Sequence, residues 1–180
     1  CDVVELCDPG TRQNCAVLPS YSHLPANSLE PGSLSPQITA LSFCSDGLTL
    51  GVGTSSGHCL LYDLRAPRPY MVRAHHNSTP IVSLRFHDGA EGAAAAGTSR
   101  VRVISADQSV VRVWDKRDGE LLFATEPAHG KLSEVVNVGS SGMLLVAGEF
   151  KRMKILYAPA LGPAPRWCSF LDNLTEELEE

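Results

Sequence analysis

The sequence predicts an all-β fold, and three observations carry that prediction. Short segments alternate apolar with other residues, they close on similar residues, and turn-forming Gly, Ser and Asp clusters separate them. The segments Val4-Glu-Leu-Cys-Asp8, Leu60-Leu-Tyr-Asp63, Val111-Arg-Val-Trp-Asp115 and Lys154-Ile-Leu-Tyr-Ala158 each end on an aromatic residue or Cys followed by Asp or Ala. Recurrence of one closing pattern along a chain is the mark of repeated supersecondary units.

The closing positions are separated by 55, 52 and 43 residues, and the last interval matches the WD40 period of about 40–45. The two longer intervals have visible causes. Residues 19–36 contain Pro19, Pro25, Pro31 and Pro36 among serines, a surface-loop composition. Residues 88–100 are a small-residue insert rich in Gly and Ala. With these set aside, each unit reads as strands joined by turns. The first has Ile38–Phe43, a turn at Cys44-Ser-Asp-Gly47, Leu48–Val52, a turn at Ser55-Ser-Gly57 and Cys59–Asp63. The second has Ile81–Phe86, Val101–Ser105, a turn at Ala106-Asp107-Gln108, Val110–Asp115 and Glu120–Thr125. The third has Ser133–Val138, Met143–Ala147 and Met153–Tyr157.

The predicted organisation is therefore the end of a preceding WD40 blade at 1–18, a Pro/Ser-rich loop at 19–36, WD40 blades of a partial propeller at 37–160, and a different segment at 161–180. About three blades plus the end of a fourth do not close a ring of the usual four to eight blades, so further blades are expected upstream. In the last segment Gly162-Pro-Ala-Pro165 favours extended backbone. Beyond it Trp167, Phe170, Leu171, Leu174 and Leu178 recur at three- and four-residue spacing between acidic residues, which predicts an amphipathic helix or an extended clamp.

Composition bounds the function. A hydrophobic fraction of 43% with 19% charged residues is globular, and no apolar run approaches the 18 or more residues of a membrane helix. With no initiator Met and no leader, the chain reads as a soluble piece of a longer protein, with no membrane partner. The six cysteines show no C-x-x-C pair and no zinc-like spacing with His, so no metal site is expected. The sequons at Asn77 and Asn173 are discounted as chance triplets. The net charge of −5 is unevenly spread. Residues 1–64 carry one basic and six acidic side chains, 65–154 carry thirteen and nine, and 155–180 carry one and five. Arg100, Arg102, Arg112, Lys116, Arg117, Lys151, Arg152 and Lys154 lack interleaved aromatics, so any RNA contact through them would be to backbone and salt-sensitive.

Each candidate site in the sequence also has a structural reading. His75, Ser105, Asp107 and Trp114 occupy the positions of a WD40 structural hydrogen-bond tetrad. The same residue types suit a hydrolase triad, but Ser105 and Asp107 lie two residues apart at one hairpin. Gly53-Thr-Ser-Ser-Gly57 matches G-x-S-x-G, yet a nucleophile elbow needs a helix after it and a strand follows here. Gly51, Gly53 and Gly57 have the wrong spacing for a dinucleotide loop. No catalytic residue, cofactor or small-molecule substrate is assigned. Tyr62-Asp-Leu-Arg65 and Trp114-Asp-Lys-Arg117 look like the motif by which some WD40 proteins dock on cullin-type ubiquitin ligase adaptors, through Arg65 and Arg117.

The segment Leu161–Glu180, with Leu60-Leu-Tyr-Asp-Leu-Arg65, Ser105-Ala-Asp107, Val113-Trp114, Glu126-Pro with His129, and Ser141-Gly-Met-Leu-Leu145, resembles the nucleolar protein 10 family across most of residues 38–180. The insert at 88–100 and the loop at 19–36 depart from that family. The resemblance implies a non-enzymatic nucleolar scaffold of the small-subunit processome, in 18S pre-rRNA processing. Its expected partners are other ribosome-assembly proteins, with pre-rRNA or U3 RNA as a further partner through backbone contacts. Trp167, Phe170, Leu171 and Leu174 are the expected apolar anchor for a partner, with capping of the chain's own propeller as the other reading of that segment. The alternative is a substrate receptor of a cullin-type ubiquitin ligase.

Overall fold

Strict alternation in one segment and continuous apolar residues in the next distinguish strands covered on one face from strands covered on both. The computed structural model describes residues 3–19, 24, 36–75, 78–88 and 101–168. They form antiparallel sheets in two compact units, Cys1–Ile81 and Val82–Glu180.

In the first unit β1 (Val3–Cys7) pairs with β2 (Asn14–Pro19). A second sheet runs in sequence order through β3 (Ile38–Phe43), β4 (Thr49–Thr54), β5 (His58–Asp63) and β6 (Pro69–Ala74). β3 alternates in exposure, whereas β4 is buried throughout and β5 at every position except Asp63. Val4, Leu18 and Leu24 pack with Leu50, Val52, Leu60 and Tyr62 to form the core of this unit. The β3–β4 turn is tied by Asp46, whose Oδ1 accepts the Leu48 and Thr49 amides at 2.9 and 2.8 Å, and Gly47 takes φ 66°. At Gly53 a Cβ would lie 2.7 Å from Ile81 Cγ2, so only glycine lets that residue close over the sheet.

In the second unit β7 (Ser83–His87), β8 (Arg102–Ala106), β9 (Val111–Asp115) and β10 (Leu121–Ala124) form a four-stranded meander. β11 (Leu132–Asn137), β12 (Met143–Gly148) and β13 (Lys154–Tyr157) form a three-stranded one. Ile104, Ala106, Val111 and Val113 pack against Leu132, Val135, Leu144 and Val146, with Ala158 and Leu161 closing the cluster.

Several expectations change in detail. β2 reaches Pro19, one residue into the segment read as loop, and β6 lies in a stretch given no strand. β6 begins at Pro69 and is the outermost strand of its sheet, where a missing N–H breaks no ladder. The closing residues of the last repeat are shifted by one. Asp63 and Asp115 pair with the first residues of their neighbouring strands, Thr49 and Arg102. In the last sheet Tyr157 pairs with Met143 in that place, so Leu156, not Tyr157, stands where Tyr62 and Trp114 stand. After β13 the described chain has a single 3-10 turn at Arg166–Cys168. The helix-or-clamp reading of Phe170, Leu171, Leu174 and Leu178, and most of the loop at 19–36 and the insert at 88–100, lie outside the described residues.

Candidate functional site

The β8–β9 hairpin holds Ser105, Asp107 and Trp114, three of the four polar residues singled out in the sequence. Val103 pairs with Trp114, which puts Ser105, two residues on, on the same face of the sheet as the indole. The Trp114 indole N–H donates to Ser105 Oγ at 3.0 Å, and both residues are buried. Asp107 is also buried and organises the turn. Its Oδ1 accepts the Ser109 and Val110 amides at 2.6 and 2.8 Å and the Ser109 hydroxyl at 3.0 Å. His75 follows β6 in the first unit, is buried, and donates its amide to the Gly57 carbonyl at 2.8 Å. Ser105 Oγ thus accepts the indole N–H in a position closed to solvent.

The G-x-S-x-G segment is a hairpin turn. β4 ends at Thr54 and β5 begins at His58. Ser55 Oγ accepts the Gln37 amide at 2.9 Å. Ser56 Oγ lies 3.1 Å from both Thr54 Oγ1 and His58 Nδ1, and Thr54 Oγ1 accepts the His58 amide at 3.0 Å. Burial holds the His58 imidazole below its ordinary pKa. This cluster satisfies the polar groups of a buried turn.

The two aromatic-Asp-x-Arg motifs differ in chemistry. Asp63 takes Arg65 in a two-point grip, with Nε to Oδ1 at 2.9 Å and Nη2 to Oδ2 at 2.6 Å. These bonds from Arg65 hold the Asp63 carboxyl at about 2. Asp115 instead accepts from Arg102 Nη1 at 3.0 Å, across the ladder, and only the backbone amide of Arg117 reaches its Oδ1, at 2.8 Å. The Arg117 side chain is exposed.

The basic residues are likewise divided. Arg102 is committed to Asp115, and Lys154 Nζ sits 4.3 Å from the centroid of the Phe150 ring. Lys151, Arg152 and Arg117 are exposed, and Arg100 lies outside the described residues. Trp167 is 74% exposed and borders an apolar groove of about 420 Å³ with Val138, Met143, Leu145, Ile155 and Pro165.

One buried group escaped the sequence reading. His87 Nε2 donates to the Leu161 carbonyl at 2.8 Å, which leaves Nδ1 to accept Asn137 Nδ2 at 3.2 Å. It thereby ties the segment after β13 to the ends of β7 and β11. A lone His at a strand end carries no sequence signal for this.

A family model described as Nucleolar protein 10-like, N-terminal domain, matches residues 1–180. Nucleolar protein 10 of Mus musculus is 45% identical over 177 residues, covering 98% of this chain and 24% of its own length. The Ribosome biogenesis protein enp2 homolog of Schizosaccharomyces pombe is 41% identical over 177 residues, covering 98% of this chain and 26% of its own length. The chain thus spans about a quarter of the length of these curated relatives. A chain in the crystal structure of the mitotic checkpoint complex superposes with TM-score 0.67 at 14% identity, over 89% of this chain and 44% of that one, a likeness of fold alone. The similarity therefore reaches into the first 37 residues, beyond the stretch that carried the resemblance in the sequence, and the chain belongs to the nucleolar protein 10-like family.

Proposed function

We propose that this chain is part of a non-enzymatic WD40 scaffold in ribosome biogenesis, acting in the nucleolus in small-subunit processome assembly and 18S pre-rRNA processing. The observation that carries this reading is 41–45% identity over 98% of the chain to relatives named as nucleolar and ribosome-biogenesis proteins. The mechanism is surface presentation by rigid sheets, with no bond made or broken.

In this reading the four sheets are blades of a partial β-propeller, the first of them incomplete. Leu41 and Phe43 support it. They share cross-strand rows with Val52, Leu60, Leu50 and Tyr62, which are buried, yet they are 50% and 54% exposed. Such rows present apolar surface for a further inner strand. Ser105, Asp107 and Trp114 act as a structural polar network of a WD40 blade, a reading supported by the Trp114–Ser105 bond and by the burial of all three. Exposed Trp167 is the described residue best suited to anchor an assembly partner, since large aromatics dominate interface energetics.

The test is purification of the tagged full-length protein from cells at moderate salt, with identification of its proteins and RNAs. Recovery of processome proteins, pre-18S RNA and U3 RNA is the expected result. Recovery of a cullin adaptor without pre-ribosomal RNA would overturn it in favour of the ligase-receptor reading. Arg65 and Arg117 would then be the docking residues, and Arg65→Ala or Arg117→Ala would abolish adaptor binding.

A further inference from the structure

The first unit carries its positive charge in one short stretch. Residues 64–75 contain Arg65, Arg68 and Arg73 and no acidic side chain, whereas residues 1–63 carry one basic and six acidic ones. That stretch is the β5–β6 turn and β6, the outermost strand of its sheet. Arg65 is committed to Asp63, whose carboxylate it grips at 2.9 and 2.6 Å, and the grip pins the turn. Arg68 follows between Pro67 and Pro69, which restrict the backbone that carries it. Arg68, Tyr70 and Arg73 are all exposed, Tyr70 at 47%.

The backbone gives Tyr70 a special place. Leu61 pairs with Met71 and Tyr62 with Pro69, so Tyr70 is the extra residue of a β-bulge, a device that re-aims a side chain. The second unit repeats the device in β10, where Val113 pairs with Phe123 and Trp114 with Leu121, leaving Leu122 in the bulge. The decoration differs. Where β6 has Arg68, Tyr70 and Arg73, the same places around β10 hold Glu120, Leu122 and Thr125, and Leu122 is half-buried. The sheet therefore needs the bulge but neither the ring nor the two arginines.

We propose that Arg68, Tyr70 and Arg73 form a contact site for single-stranded RNA, the guanidinium groups on phosphates and the Tyr70 ring stacked on a base. The proposal deepens the ribosome-assembly reading and rests on it for which RNA is bound; the contact itself rests on charge and backbone geometry. The planar guanidinium fork matches a phosphate in two-point contact. The two arginines lie on either side of Tyr70 along roughly 17 Å of strand. An acidic peptide would engage the arginines and leave the ring face unused. A duplex hides its base faces, whereas a single strand offers phosphates and base faces together. Because every base has such a face, the site is expected to bind with little sequence preference.

Two measurements on the full-length protein test this: anisotropy of a labelled oligouridine, and ultraviolet crosslinking to it with the modified peptide mapped by mass spectrometry. In the wild type a crosslinked peptide is expected to cover 66–74, with the nucleotide on Tyr70. Tyr70→Ala should weaken binding at least about fivefold, while Tyr70→Phe, which keeps the ring, should bind as the wild type does and separates loss of stacking from loss of fold. Arg68→Gln with Arg73→Gln should lower the slope of log affinity against log salt by about 1.4, at roughly 0.7 per phosphate on a single strand. Crosslinks confined to other peptides overturn the proposal, as does wild-type affinity in Tyr70→Ala. Competition by polyglutamate that depends on the two arginines and ignores Tyr70→Ala overturns it in favour of an acidic protein partner. The two readings fail separately. A protein that crosslinks at Tyr70 but recovers no processome proteins from cells keeps this site and loses the ribosome-assembly reading, and recovery of those proteins without a crosslink in 66–74 does the reverse.

Discussion

Replacing Ser105 by Ala removes one oxygen and leaves the backbone of β8 untouched, which makes it the sharpest probe of how the central hairpin is held. Trp114 is 3% exposed and Ser105 fully buried, so when the 3.0 Å bond from the indole N–H is lost, water has no access to replace it. An unsatisfied buried donor costs about 1–3 kcal/mol, whereas replacing both partners by apolar groups of the same shape can be nearly neutral. Ser105→Ala should therefore lose about 1–3 kcal/mol, read as a lower urea midpoint by circular dichroism at unchanged slope. Trp114→Phe loses more, because ring volume goes with the N–H and a cavity is left. The decisive quantity is the coupling between the two changes. In the Trp114→Phe background the donor is already gone, so Ser105→Ala should cost about 1 kcal/mol less than in the wild type. Additivity within about 0.3–0.5 kcal/mol would refute the reasoning, since the bond would then carry no energy of its own.

Three further outcomes follow from individual contacts. Arg102→Met, which strips the buried Asp115 carboxylate of its cross-strand cation, should cost about 3–5 kcal/mol in urea unfolding, whereas Arg65→Met on the exposed Asp63 turn should leave the midpoint nearly unmoved. Burial pushes the Tyr62 phenol up to about 12, while an unfolded tyrosine ionises near 10. The unfolded state alone then releases its proton between these values, so stability is complete below pH 10 and falls as pH rises from about 10 to 12. Tyr62→Phe should flatten that loss, at the cost of the bond to the Pro19 carbonyl, when urea midpoints are compared across alkaline pH. His87→Ala should unpin Leu161, seen as faster amide exchange in 158–168 with a loss of about 1–3 kcal/mol, while β3–β6 keep their protection.

What the sequence made legible follows the range of the forces involved. β3, β5, β8, β9 and β12 announce themselves because alternation and turn residues are local, and their predicted bounds fall within a residue or two of the observed ones. β2 and β6 were hidden by proline. Pro19 ends β2 and Pro69 starts β6, and the tolerance of an outer strand for proline depends on which neighbour it has, a fact of the assembled sheet. The shift at Tyr157 has the same origin. An aromatic followed by a small residue reads like Trp114-Asp115, and only pairing with Met143 reveals that it sits one place later.

The Asp-Arg motifs show where local reading stops. In sequence Asp63-x-Arg65 and Asp115-x-Arg117 are the same signal, and both fold into a turn in which the Asp carboxylate accepts the amide two residues on, at 2.9 and 2.8 Å. The guanidinium partner is decided by what faces the Asp across the ladder. Opposite Asp63 stands Thr49, which offers no cation, so Arg65 folds back onto its own turn. Opposite Asp115 stands Arg102, whose side chain reaches the carboxylate through a site 3% exposed on the Asp side, so the carboxylate is neutralised from within and Arg117 is released to solvent. The β8–β9 register, which sets that pairing, is fixed by the Asp107 turn. Two identical motifs thus differ in what they offer a ligand: a self-satisfied Arg65, and an Arg117 whose charge is available at the surface.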